Sequence, residues 1–112
     1  MRRRRGSPSY PLDAAKALAT DGRVVLADRA RRFLREHCVA DGIAKAVREI
    51  FDAMGPEHFL KSEELDYRPG TFADIYRGME YDGIEWYVKF FIDEEGNERL
   101  QVWSANWDGA VH

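Results

Sequence analysis

The part of the sequence that decides the fold is residues 71–92, TFADIYRGMEYDGIEWYVKFFI. Asp82-Gly83 in its middle is a strong signal for a tight turn between two strands. Apolar and polar residues alternate on both sides of this turn, as they do in half-buried strands. The stretch therefore predicts a β-hairpin with strands over 71–81 and 84–92.

Two more strands are predicted beside this hairpin. Residues 93–97 are acidic, contain glycine and are typical of a second hairpin loop, and strand-forming residues follow over 98–105. Residues 59–66 suggest another strand before the hairpin. Together these segments predict an antiparallel meander.

The alternation in the middle strand separates an apolar face from a more polar one. The apolar face, expected in the core, carries Ile84, Trp86, Val88, Phe90 and Ile92. The other face carries Glu85, Tyr87, Lys89 and Phe91. The third strand repeats the pattern, with Leu100 and Val102 on one face and Arg99, Gln101 and Trp103 on the other. The polar face could bind a ligand, although many antiparallel sheets simply have one solvated face.

Helical periodicity precedes the strands. It predicts helices over 12–20, 29–37 and 42–54, and the short segment 23–27 is either an edge strand or a connection. Each helix begins beside a residue suited to that position, namely Pro11, Asp28 and Asp41. Helices followed by a meander predict an α+β fold in which the helices cover one face of the antiparallel sheet.

Length and composition are those of one globular domain. The chain has 112 residues, of which 45% are hydrophobic, and we divide it into a flexible basic arm over 1–9 and a single domain over 10–112. No apolar run reaches the ~18 residues of a membrane span, and no apolar stretch follows the basic start as in a secretory signal. Cys38 is the only cysteine; it is interpreted as a packed side chain, and a reducing cytoplasm is the expected location.

The charge is unevenly distributed. Residues 1–55 carry 12 Lys and Arg against 7 Asp and Glu, whereas residues 56–112 carry 5 against 13. An acidic C-terminal half is not typical of a general polyanion binder. The arginines of the arm and of the helix over 29–37 are either solvated or in contact with phosphate.

Several chemistries lack support in the sequence. The chain has no phosphate-binding glycine loop, and its three histidines, His37, His58 and His112, form no i, i+4 pair for zinc. The acidic clusters at 63–66 and 93–95 lack the ligand spacing of a calcium loop and are interpreted as solvated loops. No metal or other cofactor is expected.

Four segments occur in an order and spacing that resemble a known family. They are PSYPLDAAKALATDG at 8–22, HFLKS at 58–62, PGTFADIYRG at 69–78 and WYVKFF at 86–91. The series resembles the MqsR family of toxins from bacterial toxin–antitoxin pairs over nearly the whole chain, from Pro8 to about Ala105. This resemblance implies a compact α+β fold similar to the RelE toxins. It also implies a metal-independent endoribonuclease that cleaves single-stranded mRNA and binds an antitoxin encoded next to it.

The family's candidate active residues are a Lys, a Gln, a Tyr and a terminal Lys. The resemblance places the first Lys at Lys61 and the Tyr at Tyr87. The Gln position falls on Ala73 and the terminal Lys near Ala105, so two of the four positions depart from the family pattern. The family segment Asp-Val-Tyr-Arg is kept as residues 74–77, with Ile75 in place of Val.

RNA cleavage without a metal uses the 2′-hydroxyl of RNA as the nucleophile, so the protein must move protons and stabilise charge on the phosphate. The candidate catalytic residues are Lys61, Tyr87 and Arg77, and the candidate RNA-binding residues are Lys89, Tyr76 and Arg99. Each catalytic candidate has a structural alternative: Lys61 as a solvated lysine, Tyr87 as a half-buried sheet residue and Arg77 as a partner of Glu85 across the hairpin.

Three further side chains have two interpretations. Trp103 and Trp107 either stack on bases or pack under the C-terminal tail, and His58 is either an acid–base group near Lys61 or structural. The two departures from the family pattern also leave a second functional class open. In that alternative the chain is a catalytically weak protein of the same fold that works as a protein-binding module.

Overall fold

The structure, a computed structural model, describes residues 3–37, 42–94 and 98–108. These residues form three α-helices, which are α1 (Leu12–Thr20), α2 (Asp28–His37) and α3 (Ile43–Ala53). They also form six strands, which are β1 (Arg4–Arg5), β2 (Val24–Leu26), β3 (Phe59–Glu64), β4 (Phe72–Tyr81), β5 (Ile84–Asp93) and β6 (Arg99–Trp107). The three helices and the two strands of the central hairpin each lie within one residue of their predicted bounds.

Some sequence predictions concern residues outside these three ranges. The packed position of Cys38, the helix cap at Asp41, the end of the second hairpin loop at 95–97 and the side chain of His112 all lie outside the described residues.

The six strands form one open sheet in the order β1-β3-β4-β5-β6-β2. Every neighbouring pair is antiparallel except β2 and β6, which run parallel. The α+β class is therefore confirmed. The segment over 23–27 contains an edge strand rather than a plain connection, because Val24, Val25 and Leu26 pair with residues 100–102 of β6.

The central hairpin has the turn that its sequence predicts. Asp82 and Gly83 have φ angles of 54° and 75°. Two successive positive φ angles match the right-handed twist of the flanking strands, and Asp and Gly tolerate them better than most residues. This turn joins β4 to β5, which pair along almost their full length.

One hydrophobic cluster joins the helices to the central strands. It contains buried side chains of α1, α2 and α3 together with those of β4, β5 and β6. Trp86, Val88, Phe90 and Ile92 lie in it, with Ile84 packed at its edge, so the apolar face predicted for the middle strand is confirmed. We call the opposite side of the sheet, which carries Tyr87 and Lys89, the open face.

The open face is not wholly solvated. Phe91 is buried there with Leu65 and Ala73 in a second, smaller cluster. Polar side chains of β5 therefore lie beside an apolar floor rather than on a uniformly hydrated surface.

The centre of the basic arm forms a short strand at the edge of the sheet. Arg4 and Arg5 form β1 and pair with Glu63 and Ser62 of β3. Backbone pairing with an otherwise exposed edge strand outweighs the mutual repulsion of the arginines, and carboxylates of the acidic half offset their charge. Asp74 adds a further anchor, since its carboxylate accepts the N–H groups of Ser9 and Tyr10 at 2.9–3.1 Å.

Candidate functional site

A polar cleft of about 250 Å³ lies on the open face. Its lining side chains come from four strands and one helix, and they are Arg4, Arg29, Lys61, Glu63, Tyr87, Lys89 and Ser104. Lys61 and Tyr87, the two residues carried over from the family, are thus brought together with Lys89. All three residues lie on the same side of the sheet, and none of them is fully buried.

Strand register explains this convergence. Lys61 lies opposite Ile75, Ile75 opposite Lys89, and Lys89 opposite Ser104, so the four residues form one row across β3, β4, β5 and β6. Neighbouring strands are about 4.8 Å apart, which places the backbones of Lys61 and Lys89 about 10 Å apart. Tyr87 is two residues from Lys89 and therefore faces the same side.

An irregularity in the pairing of β6 directs two consecutive side chains toward the open face. The register shifts between Lys89 and Phe90, which leaves Trp103 between the paired residues Val102 and Ser104. As a result, Trp103 and Ser104 both line cavities on the open face although they are consecutive in sequence. A β-bulge has this effect because it inserts one residue into the alternation.

Two arginines from distant parts of the chain enter the cleft. Arg29, near the start of α2, donates from Nη2 to Ser104 Oγ at 2.9 Å. Arg4 comes from β1, where it lies opposite Glu63. The sequence signals for both were the arginine-rich arm and helix, for which phosphate contact was one of two interpretations. Neither residue was among the predicted site residues.

A single carboxylate lines the cleft beside four cations. It belongs to Glu63, which is only 5% exposed and lies 3.1 Å from the Nζ of Lys61. The interpretation of the acidic cluster at 63–66 as a solvated loop is therefore wrong for its first two residues, because Glu63 and Glu64 belong to β3. The cleft has an excess of positive charge although the C-terminal half of the chain is acidic.

The environment of Tyr87 favours its protonated form. Burial raises the pKa of the phenol above its ordinary value, the negative charge of Glu63 raises it further, and Arg29 and Arg77 oppose the shift. The neutral phenol is preferred in a desolvated position because the phenolate loses its hydration there. At neutral pH the hydroxyl can therefore donate a hydrogen bond or a proton into the cleft.

We expect Tyr87 to titrate at a higher pH than an ordinary tyrosine, whose pKa is 10.0. The measurement is the ultraviolet absorbance of phenolate on raising the pH, taken as the difference between the wild type and Tyr87→Phe. Circular dichroism at each pH ensures that both proteins are folded. A difference curve with its midpoint at or below pH 10 would contradict the burial of this hydroxyl.

The other predicted site residues lie elsewhere. Arg77 is opposite Tyr87 in register but does not line the cleft; it pairs with Asp108, Nε to Oδ2 at 3.2 Å, instead of with Glu85 as the structural alternative expected. Arg99 lies opposite Asp93 at the far end of β6.

Tyr76, a candidate RNA-binding residue, does not line the cleft. Its side chain is 1% exposed and lies in the main cluster, stacked on Phe90. Its position opposite Val88 places it on the side of the sheet that carries the main cluster, away from the cleft.

The two positions that depart from the family pattern are apolar in the structure as well. Ala73 is fully buried beside Phe91 on the open face, and Ala105 is 3% exposed in the main cluster. Ser104, the residue before Ala105, faces the cleft instead. Its hydroxyl accepts a hydrogen bond from the guanidinium of Arg29, which also lines the cleft.

His58 has a structural role. Its Nδ1 accepts the backbone N–H of Gly55 at 2.9 Å, which closes the short helical turn at Pro56–His58 before β3. Trp107 is half exposed, whereas Trp103 stacks on Tyr67.

No group of three or more His, Cys, Asp or Glu side chains among the described residues is arranged to hold a metal ion. None of the helices found within 3–37, 42–94 and 98–108 has both the length and the apolar character that crossing a membrane requires.

Comparison with known proteins agrees with the resemblance. Residues 7–102 match the model of the MqsR toxin family, described as "Motility quorum-sensing regulator, toxin of MqsA". No curated protein matches the chain. The matched range contains Lys61, Tyr87 and Lys89 and covers most of the 112 residues. The chain therefore belongs to the MqsR toxin family.

Proposed function

We propose that this toxin is an endoribonuclease that cleaves single-stranded mRNA in the cytoplasm without a metal ion. The observation that carries the proposal is the convergence of Lys61, Tyr87 and Lys89 with Arg29 in one cleft. Membership of the toxin family adds an antitoxin as the expected protein partner. We further propose that the sheet and helices follow the arrangement of the RelE toxins.

In the proposed reaction the 2′-oxygen of RNA attacks the adjacent phosphorus and the bond from phosphorus to the 5′-oxygen breaks. Lys61, Lys89 and Arg29 stabilise the negative charge that grows on the non-bridging oxygens. Tyr87, which is protonated at neutral pH, donates a proton to the departing 5′-oxygen. The proton of the 2′-hydroxyl passes to water, and water returns a proton to Tyr87 after cleavage. The products are a 2′,3′-cyclic phosphate and a free 5′-hydroxyl.

The charge of the cleft supports an anionic substrate in spite of the acidic C-terminal half. Arg4, Arg29, Lys61 and Lys89 line the cleft against Glu63 alone. Two carboxylates of the same half, Glu64 and Asp108, are paired with Arg3 and Arg77. Local charge of this kind guides a phosphate backbone more directly than the net charge of a chain does.

The test is incubation of the purified protein with a defined single-stranded RNA in an excess of chelator. We expect cleavage, with 2′,3′-cyclic phosphate ends, and arrest of growth when the protein is expressed without its antitoxin. RNA that stays intact both in chelator and with added divalent cations would overturn the proposal. Cleavage that requires added cations would overturn its metal-free mechanism.

A second function is favoured by a specific observation. Ala73 and Ala105 supply no polar group at two positions where the family has one, as expected of a catalytically weak toxin that works by binding a protein partner. This alternative predicts growth arrest without RNA cleavage, so the same pair of measurements distinguishes the two functions.

A further inference from the structure

An aromatic pair, formed by the exposed Tyr67 and the partly buried Trp103, lies on the open face beside the cleft. The rings of Tyr67 and Trp103 are stacked, with centroids 5.0 Å apart and planes inclined by 30°. Tyr67 belongs to the connection between β3 and β4 and is 58% exposed. A large aromatic side chain held this far in solvent leaves most of its ring free for another planar group.

The pair borders a second cavity, of about 210 Å³. Phe91 and Gln101 line its floor on β5 and β6, and β2 forms one side. Gln101 contributes an amide, which both donates and accepts hydrogen bonds. Arg68 also lines the cavity, which thus combines aromatic surfaces with an amide and a guanidinium group.

Arg29 connects this cavity to the polar cleft. Its guanidinium carbon lies 5.8 Å from the centre of the Trp103 ring, and the same guanidinium donates to Ser104 in the cleft. Trp103 and Ser104 are consecutive residues, so the aromatic cavity and the cationic cleft lie within one residue of each other along β6. A ligand that has a flat apolar part and an adjacent anionic part would occupy both.

We propose that Tyr67 and Trp103 bind an unpaired nucleobase of the RNA whose phosphate lies in the cleft. This inference rests on the proposed ribonuclease function and adds a base-binding subsite to it. Stacking on aromatic side chains is open to every base, and Arg29 supplies the positive charge for the adjoining phosphate. Gln101 can bond the edge of the stacked base and is therefore the residue placed to select among bases.

The test measures binding without cleavage. The probe is a short single-stranded 2′-fluoro RNA of mixed sequence, which lacks the nucleophile, and the comparison is an oligomer of the same length made of abasic phosphates. We expect the wild type to bind the base-bearing oligomer about 5- to 150-fold more tightly, which corresponds to one stacked base. Tyr67→Ala should lose most of this preference while its affinity for the abasic oligomer is unchanged.

Trp107→Ala is the matched control. Trp107 is 53% exposed, but it lies opposite the core residue Trp86 and so belongs to the other side of the sheet. This variant should keep the full preference for bases. Because Tyr67 is an exposed loop residue, loss of folding is not expected in Tyr67→Ala, and thermal unfolding checks this.

The outcomes separate the inference from the function that it rests on. If the wild type binds the two oligomers equally, or Tyr67→Ala keeps the preference, while RNA is still cleaved in chelator, the base-binding subsite is overturned and the ribonuclease function stands. If the wild type neither cleaves RNA nor binds either oligomer, both are overturned. An aromatic pair that served a protein partner instead would leave RNA affinity the same in Tyr67→Ala and would count against the inference.

Discussion

Lys61→Ala should lower the rate of RNA cleavage by about 10²- to 10³-fold, the range typical of losing one group that stabilises transition-state charge. Lys61 lies in the same row of the sheet as Lys89 and Ser104, so its loss removes a cation from the side of the cleft formed by β3. The measurement is the single-turnover cleavage rate of a defined RNA in chelator.

The contact between Lys61 and Glu63 offers another explanation for such a loss. Without the lysine, the nearly buried carboxylate would lack the ammonium group 3.1 Å away and could repel RNA or destabilise the strand. Adding Glu63→Gln to Lys61→Ala removes that carboxylate charge. If the double variant regains the wild-type rate, the effect of Lys61 is only to neutralise Glu63, and a direct role on the phosphate is wrong.

Lys45→Ala is a matched control for this experiment. Lys45 also lies near a glutamate, Glu49, at 3.8 Å, but on α3 rather than in the cleft. Both variants remove a lysine that lies near a glutamate, although the pair of Lys45 is longer and more exposed. We expect Lys45→Ala to cleave RNA at the wild-type rate.

Tyr87→Phe should reduce cleavage by about 10²- to 10⁴-fold, as expected for the loss of a general acid. The substitution removes one oxygen and keeps the half-buried ring, so the sheet should fold as before. Its effect is then chemical rather than structural. Tyr81→Phe, at the end of β4, is the matched control and should be active.

A modified substrate tests the role of the Tyr87 proton directly. Replacing the 5′-oxygen of the scissile bond by sulfur creates a leaving group that departs without protonation. Tyr87→Phe should then cleave this RNA at close to the rate of the wild type. An equally large deficit on the sulfur substrate would show that Tyr87 positions the phosphate and does not protonate the leaving group.

Local chemistry explains why much of the sheet is predictable from the sequence. Asp82-Gly83 specifies its own turn, and the alternation from Ile84 to Ile92 specifies which side of β5 is buried. These signals act between residues close in sequence, so they need no knowledge of the rest of the fold. The pairing of Tyr87 and Lys89 on one face follows from the same alternation.

The remaining parts of the site depend on contacts between distant segments. Arg29 reaches Ser104 across 75 residues of sequence, and β1 joins the sheet only because β3 would otherwise be its edge. Nothing near Arg4 or Arg29 in the sequence indicates these partners. The sequence alone makes Tyr76 a candidate RNA contact. Its pairing with Val88 instead places its side chain in the main cluster.

The irregular pairing at Trp103 has a consequence for comparing this strand among relatives. One residue is added to the strand there. Counting along the chain therefore aligns the terminal lysine of the family pattern with Ala105, whose side chain points into the interior. Equivalence judged by orientation would instead match that lysine to Ser104 or Asn106. Substitutions at this end of the strand should therefore be aligned by the direction of the side chain, and a relative lacking the additional residue would present a different set of groups to its substrate.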